Sequence, residues 1–89
     1  MENRRNVVYD HKAEKYISRL FSRDRGAYGR LQDAIDKICC NPEHSETLTG
    51  ILSGYRSRHV GGRVIIYGYR NGKILIKSID SHDKAYGLR

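Results

Sequence analysis

The sequence predicts a small α+β domain: a helical hairpin packed on one face of a mainly antiparallel four-stranded sheet, in the order β-α-α-β-β-β. Three observations predict it. Two apolar stripes at helical spacing fill the first half of the chain. An Asn71-Gly72 pair separates two β-rich runs in the second half. A short apolar run, Val7-Val8-Tyr9, precedes both.

That run, ended by Asp10, reads as the first strand, with Asp10 as the N-cap of the helix that follows. Ala13, Tyr16, Ile17, Leu20 and Phe21 then recur at steps of three and four, one stripe on a helix of about three turns. "SRDRGA" reads as a short break. Ala27, Leu31, Ala34, Ile35, Ile38 and Cys39 form a second stripe, and Asn41-Pro42 ends it. Both stripes face a core. "PEHSETLTGILSG" shows no period and reads as a loop.

Three strands follow as a meander. "GYRSRHV" is joined to "RVIIYGYR" through Gly61-Gly62, and "KILIKSID" follows the Asn71-Gly72 turn. A two-residue turn there sets Tyr69 opposite Ile74, Tyr67 opposite Ile76, Ile65 opposite Ser78 and Arg63 opposite Asp80. If Gly61-Gly62 is also a two-residue turn, Arg56 and Arg58 share a face with Arg63, and His59 points the other way. One extra loop residue reverses that relation. The helical hairpin covers one sheet face, so the other must tolerate water or receive a partner. Tyr67 and Tyr69 are expected to pack or to shield that face.

The chain has 89 residues, read as a single domain over 1–89. Cys39 and Cys40 are adjacent, which suits neither a mutual disulfide nor a zinc site. They are expected to be reduced thiols in a cytoplasmic protein. No apolar run approaches the roughly 18 residues of a membrane span. The net charge is +7 and uneven: residues 1–54 carry nine Lys/Arg and eight Asp/Glu, whereas residues 55–89 carry eight and two. The meander half is therefore at +6, which favours a polyanionic partner, RNA or DNA by default.

Leu48-x-Gly50-x-Leu52-x-Gly54-Tyr55-Arg56 is followed by a basic strand and by Arg63-Val64-Ile65-Ile66-Tyr67. Together with the ending Ser81-His82-Asp83-Lys84-Ala85-Tyr86, this pattern resembles the RelE/ParE superfamily of toxins from toxin–antitoxin pairs. The resemblance covers nearly the whole chain and implies a RelE-like fold. It implies one of two activities: ribosome-dependent mRNA cleavage in the RelE/YafQ-like branch, or DNA gyrase inhibition without nuclease chemistry in the ParE-like branch. A third reading is a non-catalytic nucleic-acid-binding module. His59 and His82 fall at histidine positions of the YafQ-type nucleases. Arg63 falls on a catalytic arginine of the RelE type, Arg56 and Arg58 on strand lysines, and Tyr86 on a terminal aromatic. The YafQ-type loop histidine is matched by Glu46, with His44 two residues earlier, and the YafQ-type strand aspartate is replaced by Arg63.

The chemistry explains why such residues would cut RNA. RNA carries its own nucleophile, the 2′-OH beside the scissile phosphate. Imidazole, with an ordinary pKa of about 6.5, moves protons near working pH. Guanidinium is always charged and grips phosphate bidentately. The resemblance thus implies His82 and His59 as general acid and base in an order left open. It implies Arg63 on the phosphate, Arg56, Arg58 and Lys84 along the backbone, and Tyr86 on a base or orienting the substrate. No metal or cofactor is implied. The implied partners are a RelB-like antitoxin, the ribosome and mRNA. His11 and His44 are expected to be exposed and idle, and Glu46 ranks behind the histidines.

Overall fold

The computed structural model describes residues 6–81. The chain runs β1 (Asn6–Tyr9), α1 (His11–Arg23), α2 (Arg25–Cys40), β2 (Glu46–Thr47), a 3-10 turn (Gly50–Leu52), β3 (Arg56–Val60), β4 (Arg63–Arg70) and β5 (Lys73–Ser81). The sheet order is β1-β5-β4-β3-β2. β1 is parallel to β5, and every other neighbouring pair is antiparallel. No helix of the described residues is long and apolar enough to cross a membrane.

The sheet has five strands rather than the expected four. The extra one, β2, lies in the segment read as a loop and pairs Glu46 with Ser57 and Thr47 with Arg56. Two residues cannot display an alternation, so only the partner strand reveals it.

Asp10 caps α1, its carboxylate accepting from the Lys12 N–H. A single residue, Asp24, separates the helices. Its N–H donates to the Leu20 carbonyl and closes α1, while its carboxylate accepts from the Ala27 N–H and opens α2. The stripes pack as expected: Ala13, Leu20, Ala27, Leu31, Ala34, Ile35, Ile38 and Cys39 are buried against Ile65, Tyr67, Ile74, Ile76 and Ile79. Phe21 is the exception on its stripe. It is 43 % exposed and carries the Arg25 guanidinium over its ring. Tyr67 and Tyr69 both belong to the helix side, Tyr67 fully buried and Tyr69 packed at the margin.

Both glycine-containing hairpin turns are two-residue turns, since Val60 pairs with Arg63 and Arg70 with Lys73. Asn71 and Gly72 both have positive φ, as a type I′ turn requires, whereas at the other turn Gly61 supplies the positive φ at the first central position. The register departs from simple alternation beyond Tyr67. Tyr69–Ile74 and Tyr67–Ile76 hold, but Ile65 faces Ile79 and Arg63 faces Ser81, not Ser78 and Asp80. A β-bulge inserts Lys77 between the two registers. The reason lies in packing. Without the bulge Ser78 would enter the core beneath the helices; with it Ile79 does, at 2 % exposure.

Candidate functional site

The tight Gly61-Gly62 turn decides which side chains share a face. Arg56, Arg58 and Val60 lie opposite Tyr67, Ile65 and Arg63, on the side of the sheet that the helices cover. Ser57 and His59 lie opposite Ile66 and Val64, on the second face. Two rows cross that second face. One runs Glu46–Ser57–Ile66–Ser78, and the next runs His59–Val64–Asp80. The middle of the face is closed to solvent, with Ser57, Val64 and Ile66 at 3, 0 and 1 % exposure. Glu46 and His59 are exposed at its rim. They are diagonal neighbours on adjacent strands, a relation that sets backbones about 7–8 Å apart and lets longer side chains meet.

His59 also borders a second environment. β2 pairs only with Arg56 and Ser57, and α2 flanks the rest of β3. Arg30, Asp33 and Lys37 recur at steps of three and four, so they share one side of α2. With Ala34, Arg58, His59 and Val60 they line a cleft of about 250 Å³. The lining thus brings three cations, Arg30, Lys37 and Arg58, to the same cleft as His59, with Asp33 as its carboxylate among the described residues.

The sequence candidates divide. His59 and Arg58 are in this cleft. Arg56 is tied down elsewhere, its guanidinium donating to the carbonyls of Glu43 and Ser45 at 3.1 and 2.9 Å. Arg63 is half-buried on the helix side and donates from Nε to the Tyr16 hydroxyl. Asp80 is not its cross-strand partner. His82, Lys84 and Tyr86 lie outside the described residues. The last described residue, Ser81, pairs with Arg63, so β5 ends at the same end of the sheet as His59.

Sequence reasoning missed Arg30 and Lys37, and it ranked Glu46 low. The spacing of Arg30 and Lys37 was visible, but nothing in it says which strand a polar helix face meets. Farther along the second face, Gly68 leaves room for the Tyr55 ring, which would lie 3.4 Å from a Cβ there. The Lys77 ammonium stands 5.4 Å from that ring's centroid, within cation–π range. The bulge residue and the aromatic just before β3 thus meet on the Glu46 side of the sheet.

No protein-family profile and no curated protein sequence matches the chain. Solved structures do. A chain of the YoeB–YefM complex from Staphylococcus aureus superposes with a TM-score of 0.77 at 20 % identity, covering 89 % of this chain and 98 % of that one. The YoeB/ParE toxin from Agrobacterium tumefaciens gives 0.77 at 17 %, covering 86 % and 98 %. A chain of the Escherichia coli DinJ–YafQ toxin–antitoxin complex gives 0.70 at 19 %, covering 97 % and 100 %. At these identities the shared property is the fold, and it is the RelE-like fold that the sequence motifs imply.

Proposed function

We propose that this chain is a RelE/ParE-superfamily toxin of a type II toxin–antitoxin pair and that it cleaves mRNA on the ribosome. The observation that carries the reading is a toxin fold matched over most of the chain, with an exposed histidine and three cations lining one cleft at the end of its sheet. The basic meander half supplies the field that draws a polyanion to that end.

The reaction needs no more than proton transfer and charge stabilisation. A base takes the proton of the 2′-OH, the 2′-oxygen bonds to the adjacent phosphorus, and the bond from phosphorus to the 5′-oxygen breaks. An acid returns a proton to that leaving oxygen, giving a 2′,3′-cyclic phosphate and a 5′-hydroxyl. His59 performs one of the two transfers. His82 performs the other, and Glu46, diagonal to His59, is its competitor for that role. The phosphate charge falls to Arg58 and Arg30. Arg63, held against Tyr16, braces the end of the sheet, and Arg56 holds a loop. Tyr86 stacks on a base, a contact worth about 1–3 kcal/mol, and Lys84 joins the backbone contacts. The partner that restrains the toxin is an acidic antitoxin complementary to the +6 half.

The test is purified protein with programmed ribosomes and a reporter mRNA, read by primer extension. The wild type should cut. His59→Gln and His82→Gln should each lower the single-turnover rate by about 100-fold or more, the usual contribution of a general acid or base. Normal cutting by His59→Gln refutes the assignment. A second reading, gyrase inhibition, is favoured by the commitment of Arg56 and Arg63 to structural bonds and by the ParE in a matched structure's name. Intact mRNA, with gyrase-dependent DNA breaks in cells expressing the chain, selects that reading instead.

A further inference from the structure

We infer that the groove between α2 and the edge of β3 is a track for the backbone of single-stranded RNA, running from His59 to His44. The inference rests on the proposed nuclease reading for its ligand class and extends the surface past the reacting residues to His44. A second cleft, about 310 Å³ and lined by Asp36, Lys37, Cys40, Asn41, His44 and Arg58, adjoins the one beside His59. Lys37 and Arg58 line both, so the two clefts meet at these side chains and together make the groove proposed.

The groove follows α2 from Arg30 to its end at Cys40, ten helical steps of about 1.5 Å, or roughly 15 Å. That length accommodates several nucleotides of a strand rising about 3.4 Å per residue when stacked. Its floor is cationic at the centre, where Lys37 from the helix meets Arg58 from the strand. Among the described residues these two side chains take part in no hydrogen bond or ion pair, unlike Arg56 and Arg63, which are tied to the protein itself. Asp33 and Asp36 stand on the helix side of the groove and repel phosphate, which confines a polyanion to the Lys37–Arg58 line. Each end carries an imidazole, a donor to a phosphate oxygen or a 2′-hydroxyl. His59 and His44 border different clefts on either side of Lys37 and Arg58. His44 thus contacts a nucleotide adjacent to the scissile one rather than completing an acid–base pair.

Cys40 makes the groove testable. It is exposed in the groove wall, whereas Cys39 is buried in the core, so thiol alkylation reports on Cys40 alone. In the cleavage-silent His59→Gln variant, a single-stranded oligouridylate of about 12 nucleotides should slow Cys40 alkylation at least tenfold at saturation. Lys37→Glu should weaken binding of that oligomer about tenfold and flatten the plot of log affinity against log salt by about 0.7, the share of one lost phosphate contact. Lys12→Glu changes net charge equally on α1, away from the groove, and should shift affinity less than threefold. Unslowed alkylation of Cys40 at saturating RNA overturns the inference, and so do equal losses from Lys37→Glu and Lys12→Glu. These outcomes separate from the nuclease test. Cleavage with an unprotected Cys40 removes the groove and keeps the nuclease; protection without cleavage keeps the groove and removes the chemistry.

Discussion

Removing the Tyr67 hydroxyl should loosen the loop that carries His44 and Glu46 while leaving the core packed. Tyr67 is fully buried, and its O–H donates to the Pro42 carbonyl at 2.8 Å, an ordinary length for a sound bond. In Tyr67→Phe the ring and its packing remain. One neutral hydrogen bond is lost, about 1 kcal/mol net, and a carbonyl on a buried proline keeps no replacement unless the loop shifts, which raises the cost toward about 2 kcal/mol. For 89 residues the unfolding entropy is near 0.19 kcal/mol/K, at about 2.1 cal/mol/K per residue, so the melting temperature should fall by about 5–10 °C. Urea unfolding followed by circular dichroism should show a lower midpoint at unchanged slope, because the surface exposed on unfolding stays the same. A loss below about 0.3 kcal/mol would refute the reasoning. It would mean that Pro42 is not held from the core and that the loop's position relative to β3 is set elsewhere.

Asp24→Ala removes the carboxylate that accepts from the Ala27 N–H at 3.0 Å and should cost about 0.5–2 kcal/mol in a urea melt, with Asp24→Asn recovering most of it. Arg56→Ala frees the carbonyls of Glu43 and Ser45. It should speed proteolysis within residues 43–46 severalfold and cost about 1 kcal/mol, discounted for partial exposure, while its effect on oligouridylate affinity stays below that of Lys37→Glu.

The residues that specify the fold are local, and they were legible because each signal is short-range. Asn71-Gly72 admits positive φ at both positions, so the register next to the turn, Tyr69–Ile74 and Tyr67–Ile76, follows from two letters. The helical stripes predict the residues that meet the core, with Tyr16 and Ile17 partly buried at its margin and Phe21 excepted, because a period of 3.6 needs no knowledge of the partner surface. The site is less legible because it is assembled across elements. Arg30 and Lys37 sit on the polar side of a helix, and only the packing of α2 beside β3 gives them a partner. The bulge was present in the sequence as the spacing Ile74, Ile76, Ile79, two steps and then three. Read as simple alternation, it aligned Arg63 with Asp80.

That one inserted residue has consequences for the chemistry. The bulge at Lys77 moves Asp80 off the Arg63 position and into the His59–Val64 row, on the second face. Arg63 then has no carboxylate opposite it and turns to Tyr16 on α1. The tight Gly61-Gly62 turn does the complementary work on β3, sending His59 to the second face and Arg58 to the helix side. The two devices separate the imidazole from Arg63 while keeping it beside Arg58, because His59 and Arg58 are neighbours where α2, rather than another strand, flanks β3. Because β2 reaches no farther along β3 than Ser57, His59 can be approached from the second face and from the α2 groove at once. A proton-transfer group needs reach into a reacting centre, and its substrate needs a charged path leading there. This corner of the sheet supplies both through a two-glycine turn, a one-residue bulge and a strand only two residues long.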